Sequence, residues 1–174
     1  TGTAGFDRGT KSDKSDDINS GQILMALTNG SKHTYTDAQS VISLPSKDRG
    51  DKFDMGLTGP ITELQGGNGS KALYSTKSYD LPADNSDQAV DTTTSDWKEE
   101  SEVKDWAAIR SVAMTSDSVD TQTVVSGYVP VKVIDIADST IGDTTTVKNY
   151  SYAKAPYAGG DLTHADTMKA KIYG

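Results

Sequence analysis

The sequence predicts an all-β protein, an antiparallel β-sandwich with one short helix. Of the 25 acidic residues, 21 are aspartate, which favours turns and strand ends, and only four are glutamate, which favours helices. Threonine and serine are abundant, whereas the strong helix formers Leu, Glu, Gln and Met are scarce. Apolar residues also alternate with polar ones over short segments that turn residues separate, which is the pattern of half-buried strands.

Individual strands follow from these segments. Residues 22–28 form an apolar run that the turn Asn29-Gly30 closes, as expected for a buried strand. Residues 52–58 alternate, so Phe53, Met55 and Leu57 share one face. Further strands are expected at residues 39–44, 61–64, 71–76, 109–114, 124–136, 147–153 and 168–173. Eight or nine strands joined by loops favour a sandwich over a parallel α/β sheet.

Glycine and proline add two local predictions. The loop Gly66-Gly-Asn-Gly-Ser lies between two expected strands, so these are predicted to form a hairpin. Pro130 interrupts a valine-rich strand and cannot donate to a ladder, so it predicts a sheet edge or a bulge there.

The chain is divided into a polar lead-in or linker, residues 1–20, and a sandwich module, residues 21–174, because the first segment is crowded with charges. The short helix is placed between Trp97 and Ala108, where Asp96 is a cap and Glu99 is able to reach back to it. Residues 78–95 hold few apolar side chains and predict a long loop.

Several classes of function are excluded by composition. There is no cysteine, which removes thiol nucleophiles, disulfides and cysteine zinc sites. A net charge of −8 without a basic cluster argues against nucleic acid. No apolar stretch approaches the ~20 residues of a membrane span. The two histidines, His33 and His164, lie in polar loops without a nucleophile motif, so we predict no catalytic residue and no enzyme activity.

Closely spaced aspartates leave calcium as the candidate cofactor, because hard cations select oxygen ligands. Of three Asp-rich loops, the one with Asp84, Asp87 and Asp91 is favoured, since a long irregular segment gains most from being pinned. The alternative is that these aspartates cap turns and solvate the surface.

Aromatic residues provide the candidate ligand-binding site. Trp97, Tyr150 and Tyr152 are expected to stack on sugars if they are exposed together, and Tyr150 and Tyr152 share one strand face. Trp106, beside Ala107 and Ala108, is expected to be buried.

Several phrases, taken in order, resemble a repeat module of large cell-wall-anchored surface proteins of lactobacilli and other Gram-positive bacteria. The residues that carry the resemblance are Val41-Ile-Ser-Leu-Pro-Ser-Lys-Asp, Phe53 through Leu57-Thr-Gly-Pro-Ile, Ala72-Leu-Tyr-Ser-Thr, Asp96-Trp, Val103-Lys-Asp-Trp-Ala-Ala-Ile-Arg-Ser-Val, Gly127-Tyr-Val-Pro-Val and Asn149-Tyr-Ser-Tyr-Ala. Together they span about three quarters of the chain.

The resemblance implies an immunoglobulin-like or adhesin-like sandwich, extracellular at the bacterial cell surface and anchored through parts outside this sequence. It implies a non-catalytic stalk or adhesive unit in tandem with similar modules, with a host or matrix protein or glycan as partner. A carbohydrate-binding module that uses exposed aromatics is the alternative.

Overall fold

The computed structural model describes residues 2–9, 11–15, 17–84 and 89–174. These residues form ten strands, and short 3-10 helices take the place of α-helices among them. The strands are β1 Thr3–Asp7, β2 Ser20–Asn29, β3 Tyr35–Ser43, β4 Met55–Leu57, β5 Thr62–Gln65, β6 Lys71–Ser75, β7 Ser111–Val119, β8 Thr123–Val133, β9 Thr144–Lys154 and β10 Leu162–Tyr173. The 3-10 helices are Lys47–Arg49, Glu100–Glu102, Trp106–Ala108 and Ile136–Asp138.

Two sheets pack face to face, which confirms the predicted β-sandwich. Sheet A has the order β1-β10-β9-β3-β7-β6, and sheet B has the order β2-β8-β4 with β5 also paired to β8. Neighbouring strands are antiparallel except β1 and β10, which are parallel. The main core lies between the sheets and includes Phe6, Met25, Ile42, Met55 and Val129, all almost fully buried.

The predicted short helix is realised as two single turns. Glu99 and Glu102 form a capping box around Glu100–Glu102, and the Asp105 carboxylate accepts a hydrogen bond from the Ala107 amide at the second turn. The cap is therefore Glu99 rather than Asp96.

The first residues differ from the expected solvated lead-in. Thr3–Asp7 form β1 at the edge of sheet A, and the Phe6 ring is buried in the main core. One aromatic residue in a polar segment shows no periodicity, yet burial of its large apolar surface stabilises the strand together with the pairing to β10.

The predicted hairpin around Gly66 is wrong, because β5 pairs with β8 in sheet B whereas β6 pairs with β7 in sheet A. The glycine loop instead carries the chain from one sheet to the other. Gly66 has a φ of +84°, and a Cβ atom there would lie 2.0 Å from the Val124 carbonyl oxygen, so only glycine fits this close approach.

Pro130 does not mark an edge or a bulge, because β8 is the central strand of sheet B and its register with β2 is continuous. β4 pairs with Val131–Val133 and β5 with Ser126–Tyr128, so Pro130 faces the break between them. Its carbonyl accepts a hydrogen bond from the Thr58 amide. The missing N–H removes only the return bond to Thr58, just beyond the end of β4, and leaves the β2–β8 ladder intact.

Candidate ligand-binding cleft

A cleft of about 750 Å³ opens between β2 of sheet B and strands β9 and β10 of sheet A. It lies beside the first half of β10, since β1 pairs only with Lys169–Tyr173 and Gly2 lines the cleft just before β1 begins. Its volume is in the range of about 300–1,000 Å³ usual for ligand pockets.

The cleft combines apolar walls with a polar floor. The apolar lining residues are Ile23, Leu24, Ala26, Leu27, Ile42, Val147, Leu162 and Met168. On the floor, Asn149 Nδ2 donates to Ser40 Oγ at 3.2 Å, and Ser151 Oγ donates to the same atom at 3.4 Å. Such a lining offers apolar contact together with side chains able to hydrogen-bond a ligand.

His164 and Asp166 lie at the rim. They are opposite Ser151 and Asn149 respectively in the β9–β10 register. Both share the inward face of β10 with the buried Ala170 and Ile172, because residues two apart on a strand point the same way. The sequence predicts this strand only from Met168, because His164 and Asp166 interrupt the apolar pattern of the inward face between Leu162 and Met168.

The aromatic residues predicted to bind ligand lie elsewhere, on the outer face of sheet A. Trp97 is 6% exposed and Tyr150 is fully buried, while Tyr152 is half-buried. Trp97 and Tyr150 pack in a second cluster with Val41, Leu73, Leu81 and Ala113, so neither ring is available for stacking on a sugar. Trp106, expected to be buried, is only half-buried and meets Tyr74 edge-on.

The segment between β6 and the 3-10 turn Glu100–Glu102, which we call the strap (described residues 76–84 and 89–98), includes Trp97 and covers Tyr150 on the outer face of sheet A. Gln39 Nε2 donates to the Val90 carbonyl at 2.9 Å, and its Oε1 accepts from the Val90 amide at 2.8 Å. Tyr79 stacks on Trp97 with ring centroids 5.2 Å apart, and burial raises the pKa of the Tyr79 hydroxyl. The long predicted loop is thus packed against the sheet.

The predicted calcium ligands are also in the strap. Asp84 is exposed, Asp87 lies outside the described residues, and the Asp91 carboxylate accepts hydrogen bonds from Thr93 Oγ1 at 2.6 Å and the Thr93 amide at 3.0 Å. The Thr93 side chain and then its amide hold the pKa of Asp91 below its ordinary value. Within the described residues no group of three His, Asp or Glu side chains is placed to hold a metal ion. Calcium binding stays a prediction.

No helix of the described chain is long and apolar enough to cross a membrane. Of the two histidines predicted to lie in polar loops, His33 lies in a bend between β2 and β3, whereas the prediction for His164 is wrong because it lies on β10. His33 meets the Tyr157 ring edge-on at 5.2 Å, whereas His164 is at the cleft rim.

Comparison with known proteins gives a distant likeness among solved structures. No protein-family model matches the chain, and no curated protein sequence matches it significantly. Among solved structures, the collagen-binding subdomain of the Enterococcus faecalis surface protein ACE is similar at 9% identity, over 96% of this chain and 93% of that chain, with a TM-score of 0.39. At this TM-score the likeness defines neither a family nor a ligand for this protein.

Proposed function

We propose that the chain is a non-catalytic extracellular module of a bacterial cell-surface adhesin, which acts as a stalk or as an adhesive unit. The ordered sequence phrases that resemble surface-protein repeats support the class. In that setting the module is anchored to the cell wall through other parts of the protein, lies in tandem with similar modules, and meets a host or matrix partner.

The pairing of β1 with β10 is the observation that supports a stalk. These strands run parallel in the register Thr3 with Lys169 through Asp7 with Tyr173. The chain enters at one end of this ladder and leaves at the other. Tension between the two ends therefore pulls along the strands, and the hydrogen bonds between them are loaded together rather than one after another.

Single-molecule force measurement tests this role. The protein has no cysteine, so single introduced cysteines give unique attachment points. We expect a several-fold higher rupture force when the chain is pulled through its two ends than when it is pulled through residues 2 and 167, because the second geometry opens the ladder bond by bond. Equal rupture forces in the two geometries would contradict the stalk.

A pair of proline variants provides the matched control. The Lys169 amide donates to the Gly2 carbonyl, and the Arg8 amide donates to the Tyr173 carbonyl. The alternation of a parallel ladder then directs the amides of Ala4 and Phe6 toward β10 and the amide of Thr3 away from it. Ala4→Pro is expected to lower the end-to-end rupture force, whereas Thr3→Pro is expected to leave it near that of the parent.

A further inference from the structure

We propose that the cleft binds an extended, cationic segment of a partner polypeptide, which adds as a strand to the free edge of β2. This inference rests on the adhesive form of the proposed function and names the chemistry of its partner.

The outer edge of β2 offers a row of backbone hydrogen-bonding groups. β2 is the end strand of sheet B, and its register with β8 is continuous over ten residues. The Val133 amide donates to the Asn19 carbonyl, which fixes the alternation of the antiparallel ladder. The residues that point their N–H and C=O groups away from β8 are therefore Gln22, Leu24, Ala26 and Thr28. All four line the cleft.

This edge lacks the features that usually prevent strand addition. Residues 18–31 contain no charged residue and no proline, although 24% of the chain is charged. Other edges within the described structure are protected. β1 is five residues long and is bridged by reciprocal hydrogen bonds between Asp7 and Ile18, and β6 is bridged in the same way by Tyr74 and Lys98. β4 is three residues long, and β5 has an irregular register. The edge that is long, straight and uncharged is also the one beside the cleft.

The cleft favours an extended segment without a core of its own over a second copy of this chain. In strand addition, alternate side chains of the added strand point between the sheets, where Ile23, Leu27 and Val147 provide apolar contacts. In a second copy, the inward side chains Ile23 and Met25 of its β2 are already buried in its own core, so they could not fill the cleft.

Charge selects among such segments. The lining of the cleft contains no lysine or arginine, and its charged residue is Asp166. The whole chain carries a net charge of −8, which attracts cations and repels acidic peptides. The partner segment therefore carries apolar residues at alternate positions with Lys or Arg among the others.

A displayed library of random ten-residue peptides, selected on the intact chain, is the probe. We expect enriched peptides with alternating apolar residues and a positive charge. Hydrogen exchange on the complex with the best synthetic peptide is expected to slow at the amides of Leu24, Ala26 and Thr28, which face the edge. The amides of Ile23 and Met25, which already bond β8, are expected to change little.

Two matched lysine variants separate the edge from the neighbouring surface. Ala26→Lys places a cation on the exposed edge, and we expect it to weaken peptide binding roughly tenfold or more. Val124→Lys adds the same charge on β8, one strand in from the edge, where the side chain is 46% exposed, and we expect binding near that of the parent. Two versions of the peptide are N-methylated at alternate residues, one at odd and the other at even positions. The version methylated on the amides that face β2 is expected to lose binding, and the other is expected to keep it.

Three results would overturn the proposal: no enrichment, equal binding by the parent and Ala26→Lys, or exchange protection outside β2. A concentration-dependent dimer that Ala26→Lys abolishes would assign the edge to a second copy instead. The force measurement tests the β1–β10 ladder, whereas peptide binding tests the edge of β2, so failure here leaves the stalk role standing.

Discussion

At the residue scale, the contacts of Asp161 show how a short polar residue fixes a loop. Its carboxylate accepts hydrogen bonds from the Tyr152 hydroxyl at 2.7 Å and from the Ala155 amide at 2.9 Å. The loop after β9 is thereby tied to the strand it leaves. The Tyr152 hydrogen bond, followed by that of Ala155, holds the pKa of Asp161 below its ordinary value.

This depressed pKa predicts a pH dependence of stability. In the unfolded chain the pKa of an aspartate carboxyl is ~3.9. Because the folded pKa is lower, the stabilisation is present above that pH and is lost as the pH falls through the folded pKa. We expect the melting temperature of the parent to fall more steeply below pH ~4 than that of Asp161→Asn, measured by thermal melts between neutral and strongly acidic pH.

Tyr152→Phe is the matched control because it removes the main cause of the shift and keeps the carboxylate. The plot of its melting temperature against pH is expected to lie between those of the parent and Asp161→Asn. Parallel curves for all three proteins would contradict the linkage.

The two tryptophans show where residue-level prediction from sequence fails. The charged residues that follow Trp97 favour exposure of its ring, and the small apolar residues beside Trp106 favour burial of its ring. The structure has the opposite order, because Trp97 packs between the Tyr79 ring and the outer face of sheet A, whereas the Trp106 turn lies nearer the surface. Neighbours in sequence do not report packing against a sheet whose strands are distant in the chain.

At the element scale, the strap gives sheet A apolar packing on both faces. Val41, Ala113 and Tyr150 point away from the main core and are buried beneath Leu81 and Trp97. The strap is pinned by polar contacts as well, with Ser43 Oγ and Arg49 Nη1 both donating to the Tyr79 carbonyl, at 2.7 and 2.8 Å. Its backbone therefore has protein partners at several points.

Leu81 is expected to be the main apolar anchor of the strap. It is 3% exposed, and Leu81→Ala leaves a cavity against Tyr150 and Trp97. We expect a loss of about 2–3 kcal/mol in the free energy of unfolding, measured by denaturant titration and followed by tryptophan fluorescence. Ser95→Ala, at an exposed position of the same segment, is expected to change it by less than ~0.5 kcal/mol. A value for Leu81→Ala as small as that of Ser95→Ala would show that the strap is not packed.

Strands with regular alternation were predictable from the sequence, and their partners were not. Phe53, Met55 and Leu57 are all buried, as their spacing predicted. The pairing of β5 with β8 and of β6 with β7 depends on how closely Gly66 approaches Val124, which is a long-range contact. The cleft depends in the same way on β2 and β10, which are distant in sequence, so no local pattern marked it.

At the scale of the whole molecule, the two sheets differ in how their outer faces are used. The strap covers the outer face of sheet A, whereas the outer face of sheet B presents Leu24 and Val124, which are 55% and 46% exposed. β1 lies at one edge of sheet A, and its Phe6 ring packs into the main core between the two sheets. The β1–β10 ladder and the cleft thus lie next to each other, with β1 beside one end of the cleft.

Substitution of Phe6, the buried side chain that anchors β1, tests whether β1 unfolds together with the rest of the sandwich. Phe6 is 2% exposed, so Phe6→Ala is expected to cost about 3–5 kcal/mol of unfolding free energy in one cooperative transition. A solvated lead-in predicts no change from the same substitution. Ile18→Ala, at a side chain that is 59% exposed, is the control and is expected to shift stability by less than ~0.5 kcal/mol. If calorimetry finds Phe6→Ala as stable as the parent, β1 is not part of the cooperative sandwich, and the ladder it forms with β10 cannot bear tension.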